Sequence, residues 1–402
     1  MKKDIIIILL AICILAFFLR IYNLNFRPFF LPDEEVYYRT ALYYAYDQRI
    51  PLYSQFVNNV FHVEFPNHLN YEHPLLGKFL IALSILIFGN TVEGARFLSV
   101  ILGTLEIPIV YKIFKKYVKE SLALVSSLMF AFDPLNLSIS RSIMLDGFAM
   151  FFSLLGLFFY LNISDLYKKL FFLSLFVGLS ISAKLTFFPL IISVILLSIF
   201  NFKKTSERLL VSFSLITIIF LIYFLSYIPY FFHFGSNEGI LPSAYKFLDY
   251  GSHNFYDFLA LQNWMLSYHL FWHFNHNFYD YLIVNPWFYL VHDGRSYQIF
   301  TANPIVVYSG IILLIIFPVY LKLFKIKKYY EILSFFLPFS LILFIKGLSW
   351  YLIFFNFLSL LIIVLIYSFI NKNDNLSLTL YVVFLASIVI VNIIIIFYYF
   401  YI

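Results

Sequence analysis

Leu31-Pro32-Asp33-Glu34-Glu35-Val36-Tyr37-Tyr38-Arg39 places three consecutive carboxylates just beyond the first apolar run of a chain otherwise poor in charge. The next long apolar run starts only after Lys78, so the acids belong to a sizeable loop. Carboxylates at a membrane boundary are costly unless solvated or paired, which makes them candidate functional groups. Pro32-Asp33 also reads as a helix start with Asp33 as N-cap. The two readings are compatible, because a carboxylate fixed at a helix start is a well-placed base.

The surroundings of this stretch decide the fold class. Of 402 residues, 62% are hydrophobic and only 12% charged, and the mean hydropathy is +0.89. Such values, with repeated apolar runs near bilayer length, define an all-α polytopic membrane protein and exclude a soluble domain. The net charge of +6 comes from short lysine clusters between apolar runs, a topology signal and not a nucleic-acid patch. Cys13, the single cysteine, lies within the first run, which excludes disulfides and cysteine metal sites.

Met1-Lys2-Lys3-Asp4 followed by Ile5 to Leu19 has the form of a signal peptide without a cleavage site, and reads as a retained first span with its N-terminus inside. Residues 21–95 then form a first outer loop. Within it, Val36, Tyr37, Thr40, Ala41, Tyr43 and Tyr44 recur at helical spacing, predicting a helix lying on the membrane surface. Phe79–Phe88 is too short to span and is also expected to lie outside. The spans that follow are expected at Arg96–Phe114, Ser121–Leu137, Ile143–Leu161, Leu170–Ser182, Leu185–Phe200 and Leu209–Phe231. A long aromatic outer loop, 232–303, precedes four more, Pro304–Leu321, Tyr329–Ile345, Tyr351–Ile370 and Leu376–Phe400. Eleven spans put every basic cluster on the side of Lys2 and Lys3. They also gather Asp33, Glu34, Glu72, His73, Lys78, Arg96, Asp133, Arg141, Asp146 and Lys184 at the outer ends.

Several motifs resemble the protein O-mannosyltransferase family of polyprenyl-phosphate-sugar-dependent membrane glycosyltransferases. They are Arg20-Ile21-Tyr22-Asn23-Leu24 leading to Pro32-Asp33-Glu34, Tyr71-Glu72-His73-Pro74-Leu75-Leu76-Gly77-Lys78, Gly94-Ala95-Arg96-Phe97-Leu98-Ser99, Ser140-Arg141-Ser142-Ile143-Met144-Leu145-Asp146 and Ala183-Lys184-Leu185-Thr186. Gln262-Asn263-Trp264-Met265-Leu266-Ser267-Tyr268-His269, Asn285-Pro286-Trp287 and Ala302-Asn303-Pro304 extend the likeness into the later loop. The resemblance implies the C-type glycosyltransferase fold and a donor sugar, mannose foremost, carried on a polyprenyl (dolichyl) phosphate. The acceptor it implies is a protein Ser/Thr hydroxyl or a glycan, while low Gly with high Ile, Phe, Tyr and Lys and the short 232–303 loop point to a microbial chain acting at the outer face of the plasma membrane. Two residues depart from the pattern, Glu72 where an aspartate is usual and Leu75 where a second proline is usual. The 232–303 loop is also too short for the domain that eukaryotic members insert there, which leaves the acceptor open.

The chemistry asks for a carboxylate to take the acceptor proton and cations to steady the leaving phosphate. Asp33 is the expected base, with Glu34 beside it. Arg96 and Lys78 are the expected phosphate ligands, Arg offering a bidentate grip. Glu72, His73, Arg141, Asp146 and Lys184 are further candidates for the donor side. Arg141 and Asp146, five residues apart, also read as a structural ion pair. Tyr37, Gln262, His269 and Trp287 are candidate sugar or acceptor contacts. His269, His273 and His276 approach metal spacing without acids nearby, so no metal ligand set is assigned and no cofactor is required. Glu106, in mid-span, needs a partner that the sequence does not name. The competing class is a transporter of lipid-linked sugars, which binds the same phosphate without cleaving it. Such proteins tend to show internal repeats and midplane sites, and this chain has no internal repeat.

Overall fold

The computed structural model describes residues 3–25, 32–46, 70–232 and 253–271. Beyond these it describes shorter stretches, chiefly 287–292, 295–301, 330–346 and 375–401. The first part is a chain of helices: α1 (Lys3–Ile21), α2 (Pro32–Tyr46), α3 (Leu76–Phe88), α4 (Val92–Lys115), α5 (Glu120–Ala131), α6 (Pro134–Ile139), α7 (Leu145–Asn162), α8 (Leu166–Ala183), α9 (Leu190–Asn201), α10 (Thr205–Leu225) and α11 (Ile228–Phe231). After it come α12 (Phe255–Phe271), the strands β1 (Trp287–His292) and β2 (Arg295–Thr301), α13 (Tyr330–Lys346) and α14 (Asn375–Tyr401). Helices α1, α4, α7, α8 and α10 are long and apolar enough to cross a membrane. The spans expected at Pro304–Leu321 and Tyr351–Ile370 fall largely or wholly outside the described residues.

Packing runs along the chain, α4 against α1, α3, α5 and α7, then α7 on α8 and α8 on α10, with α9 against α13. The core is aliphatic and aromatic, while the lipid-facing side stays apolar; Leu209, Leu210 and Phe213 of α10 are about 70% exposed. Small residues set the closest approaches. A Cβ on Gly103 of α4 would stand 2.4 Å from the Ser140 Cβ and 3.4 Å from the Arg20 Nε, so α1, α4 and the end of α6 meet at a glycine.

Helix α2 begins at Pro32, whose fixed φ suits a first helical position, so Asp33 sits within the first turn instead of capping it. The face carrying Val36, Tyr37, Thr40, Ala41 and Tyr43 is buried, with α3 as its main neighbour. Phe79–Phe88 forms α3, one helix of 13 residues with Ile81 and Ile85 inward and Leu86 and Ile87 exposed. Thr91 caps α4 by accepting from the Gly94 amide at 3.0 Å. Between α5 and α7 the chain breaks at Phe132-Asp133 and again at Ser140–Met144; Asp133 caps the short α6 through the Asn136 amide at 2.9 Å. Among the described residues the one strand pair is the antiparallel β1–β2 hairpin within the 232–303 loop, with β2 against α6.

From Arg96 to Lys115, α4 rises about 28 Å at 1.5 Å per residue, close to the roughly 30 Å of a bilayer's hydrocarbon core. The acidic loop and the lysine clusters therefore stand at opposite ends of one membrane-sized bundle.

Candidate active site

One end of the bundle collects the starts of α2, α3, α4 and α7 with the ends of α1 and α8, and nearly all the expected site residues lie there. Arg96, in the second turn of α4, is 1% exposed and Glu34, in the first turn of α2, is fully buried. The Arg96 guanidinium donates from Nε to Glu34 Oε1 at 3.2 Å and from Nη2 to Oε1 and Oε2, both at 3.1 Å. Its Nη1 donates to the Leu24 carbonyl at 2.7 Å, just beyond α1. The Ile143 amide, just before α7, donates to Glu34 Oε1 at 2.7 Å. One carboxylate thus joins the starts of α2, α4 and α7.

This geometry corrects the expectation for Arg96. Its fork already grips a carboxylate and a carbonyl in the protein interior, so it is not presented to a phosphate. Nor is Glu34 presented as a base, since its oxygens already accept from charged and amide donors. Asp33 is one helical step away, on backbone that the clamp fixes; its side chain lies outside the described residues. Glu35 bonds Arg39 along α2, Arg39 Nη2 donating at 2.8 Å.

The other expected cations also turn inward. Lys184, which ends α8, donates to Asp146 Oδ2 of α7 at 2.6 Å, and both are buried. Arg141, buried, donates to the carbonyls of Tyr22 and Asn23, so it holds the end of α1. The Arg141–Asp146 pair is therefore corrected: the break before α7 separates them, and Lys184, 38 residues on, is the true partner.

Lys78 is different. It is fully buried in the first turn of α3, yet its partners are carbonyls, those of Asn70 and of His73, the latter at 2.7 Å. An ammonium has three N–H groups, and these bonds use two. Burial lowers its pKa from 10.5 to about 7, against the opposing pull of Glu72. Burial in turn raises the Glu72 carboxyl, which the Asn70 side chain (donating at 2.6 Å) and Lys78 partly offset. The Asn70 amide donates to Thr40 Oγ1 at 3.2 Å and the His73 ring packs 6.2 Å from Tyr37, so α2 and this loop are stitched together.

The remaining contacts spread further. Gln262 of α12 accepts from the Tyr223 hydroxyl at 2.7 Å, a link between α12 and α10. His269 and Trp287 have their backbones in α12 and β1, with side chains outside the described residues, as are His273 and His276. Glu106 has found its partner: the Asn136 side chain donates to it at 3.4 Å and accepts from Arg20 Nη2 at 2.8 Å. Arg20, fully buried, also donates to Ser140 Oγ at 2.9 Å. The sequence hinted at this network only through polar residues that lie in apolar surroundings.

Residues 72–230, about two fifths of the chain, match the family model of dolichyl-phosphate-mannose-protein mannosyltransferase. No match was found among curated proteins. Of solved structures, the oligosaccharyltransferase AglB from Archaeoglobus fulgidus, in complex with an inhibitory peptide and a dolichol-phosphate, superposes with TM-score 0.58 at 14% identity. That alignment covers 98% of this chain and 55% of AglB. The S. cerevisiae Pmt1–Pmt2 complex bound to the sugar donor gives TM-score 0.43 and 20% identity over 56% of this chain and 34% of that one. ArnT from Cupriavidus metallidurans gives 0.48 and 13% over 89% and 58%. The chain thus spans from a third to somewhat over half the length of these structures. The superposition on AglB shows that the two chains share a fold, and the family model falls on the segment holding Lys78, Arg96, Asp146 and Lys184. Residues 72–230 are thus similar to the dolichyl-phosphate-mannose-protein mannosyltransferase family, a likeness that covers about two fifths of the chain.

Proposed function

We propose that this protein transfers a sugar, mannose in the first instance, from a polyprenyl phosphate to an acceptor hydroxyl of a protein or glycan, on the extracellular side of the plasma membrane. The observation that carries the reading is the Arg96–Glu34–Ile143 clamp, which fixes the start of α2 and with it the backbone of Asp33. The acceptor O–H gives its proton to the Asp33 carboxylate while its oxygen attacks the sugar C1. The C1–O bond to phosphate breaks with inversion, and the polyprenyl phosphate leaves with the bonding pair. Position in the first turn of α2 favours the ionised form of Asp33. Lys78, in the first turn of α3 beside Glu72, is the cation assigned here to the phosphate.

The test is transfer from labelled polyprenyl-phosphate mannose to peptide or glycan acceptors in membranes holding the protein. Asp33→Asn should lower turnover by roughly 10²–10⁴-fold, the usual worth of a positioned general base, with donor binding close to the parent. Glu35→Gln, whose partner is Arg39, should leave turnover near the parent. A parent that moves donor across the bilayer without consuming it would establish the transporter reading, and unimpaired transfer by Asp33→Asn would remove Asp33 from the mechanism.

A further inference from the structure

The bundle end opposite the acids carries a basic surface that the transfer reaction does not use. Lys168 and Lys169 belong to the turn and first residues of α8, and Lys203, Lys204 and Arg208 to the turn and first residues of α10. Two contacts bring these turns together. Lys169 Nζ donates to Asn201 Oδ1 at 3.1 Å and lies 4.6 Å from the centre of the Tyr160 ring. The Tyr167 ring packs 5.9 Å from Phe202. Below them, Asn201 Nδ2 donates to the Tyr160 hydroxyl at 2.9 Å, and that hydroxyl donates to Glu331 Oε1 of α13 at 3.2 Å. The patch is therefore held on the ends of α7 and α9 and the starts of α8, α10 and α13.

Its charge balance is positive. Five cations face three carboxylates, of which Glu331 is turned onto Tyr160 and Asp165 caps the Lys168 amide at 2.8 Å. Glu207 stands 3.7 Å from Lys204, both exposed, a pairing of little strength in water. One turn further along α10, Leu209, Leu210 and Phe213 are about 70% exposed on a helix fit to cross a bilayer. Cations thus stand directly above a bare apolar helix face. A soluble anion would use the first feature alone, whereas a phospholipid uses both, its phosphate at the lysines and its acyl chains along α10.

We infer that the joined α8 and α10 starts form a binding site for the headgroup of an anionic phospholipid. The inference is independent of the transfer reaction. Each basic residue near a membrane surface is worth about 1 kcal/mol toward anionic lipid, about fivefold in binding. The test is native mass spectrometry of the full chain in detergent, with phosphatidylglycerol and phosphatidylcholine added in competition. The parent should retain phosphatidylglycerol preferentially. Lys168→Gln/Lys203→Gln/Lys204→Gln replaces only exposed side chains and should reduce that preference at least tenfold, its thermal midpoint in phosphatidylcholine unchanged. Lys115→Gln/Lys116→Gln, at the same end of the bundle but with Lys115 paired to Glu120, should keep the preference. Equal loss in both variants would mean a diffuse positive surface and overturn the site. So would a parent without preference, or displacement of the lipid by millimolar inorganic phosphate.

Discussion

Arg96→Met is the sharpest perturbation of the site, because two roles for this arginine predict different readouts. In the clamp, Arg96 makes three contacts of 3.1–3.2 Å to Glu34 and one of 2.7 Å to the Leu24 carbonyl, with both charged partners at most 1% exposed. Removing it takes the guanidinium from a fully buried carboxylate that also accepts from the Ile143 amide. Breaking a buried pair from one side costs about 3–5 kcal/mol, most of it the uncompensated charge. The second substitution, Glu34→Gln, removes that charge. The double variant should therefore recover part of the loss, with a coupling of about 1–3 kcal/mol between the two sites. Thermal unfolding in detergent, followed by tryptophan fluorescence, should place Arg96→Met lowest, the double variant above it and the parent highest. Donor KM supplies the second axis. A clamp loses stability and turnover together, since α2 shifts and carries Asp33 with it. An arginine that read the phosphate would instead raise donor KM at unchanged stability, most visibly as Arg96→Lys. That second pattern would refute the clamp.

Lys78 gives a pH signature. Its folded value of about 7 lies below the ordinary 10.5, so between those values the unfolded chain holds a proton that the folded chain lacks, and stability should rise with pH across that window. Donor binding needs the ammonium and should weaken as pH rises through about 7, whereas Lys78→Met should show a flat donor KM profile at a raised level. Gly103→Ala should cost about 1–3 kcal/mol by overpacking, because its Cβ would meet Ser140 at 2.4 Å. Gly147→Ala, whose nearest neighbour would be 3.6 Å away, should be tolerated in the same unfolding assay. If α3 lies along the outer surface, single cysteines at Asn90 and Lys116 in a Cys13→Ser background should label from opposite sides of sealed vesicles. Labelling of both from one side would reverse the placement of α3.

The ends of the bundle were legible in the sequence because lysine distribution is a one-dimensional signal. Lys115, Lys168 and Lys203 need only be counted along the chain to be placed opposite Asp33 and Arg96. Helix α2 was legible from Pro32 and the spacing of Val36, Tyr37, Thr40 and Ala41, though its buried face shows that it packs under α3 as well as lying at a surface. Partners were another matter. Glu34 and Arg96 are 62 residues apart and Asp146 and Lys184 are 38 apart, on helices whose rotation only packing decides. Arg141 and Asp146 match by spacing, but the chain breaks between Ser140 and Met144 and carries them to different neighbours. The β1–β2 hairpin has a sequence signal, Asp293-Gly294 between alternating residues, set within a loop whose aromatic richness is the stronger local pattern.

The inward turn of the cations follows from the solvent. At a bilayer boundary an arginine or lysine that enters the protein must replace its hydration shell with internal acceptors, and here Arg96 and Lys184 have done so with two carboxylates and one backbone carbonyl. Glu34 with Arg96 and Asp146 with Lys184 are each neutral as pairs, so neither adds net charge to the site. What remains to act on a substrate is the small set outside those pairs: Asp33 on a fixed helix start, Glu72, and Lys78 held by carbonyls that carry no countercharge. A phosphate brought to Lys78 would add a second anion to the pull that Glu72 already exerts and raise its pKa again. The same lysine would then be weakly charged without donor and fully charged with it, so that recognition of the phosphate and protonation of Lys78 are one event.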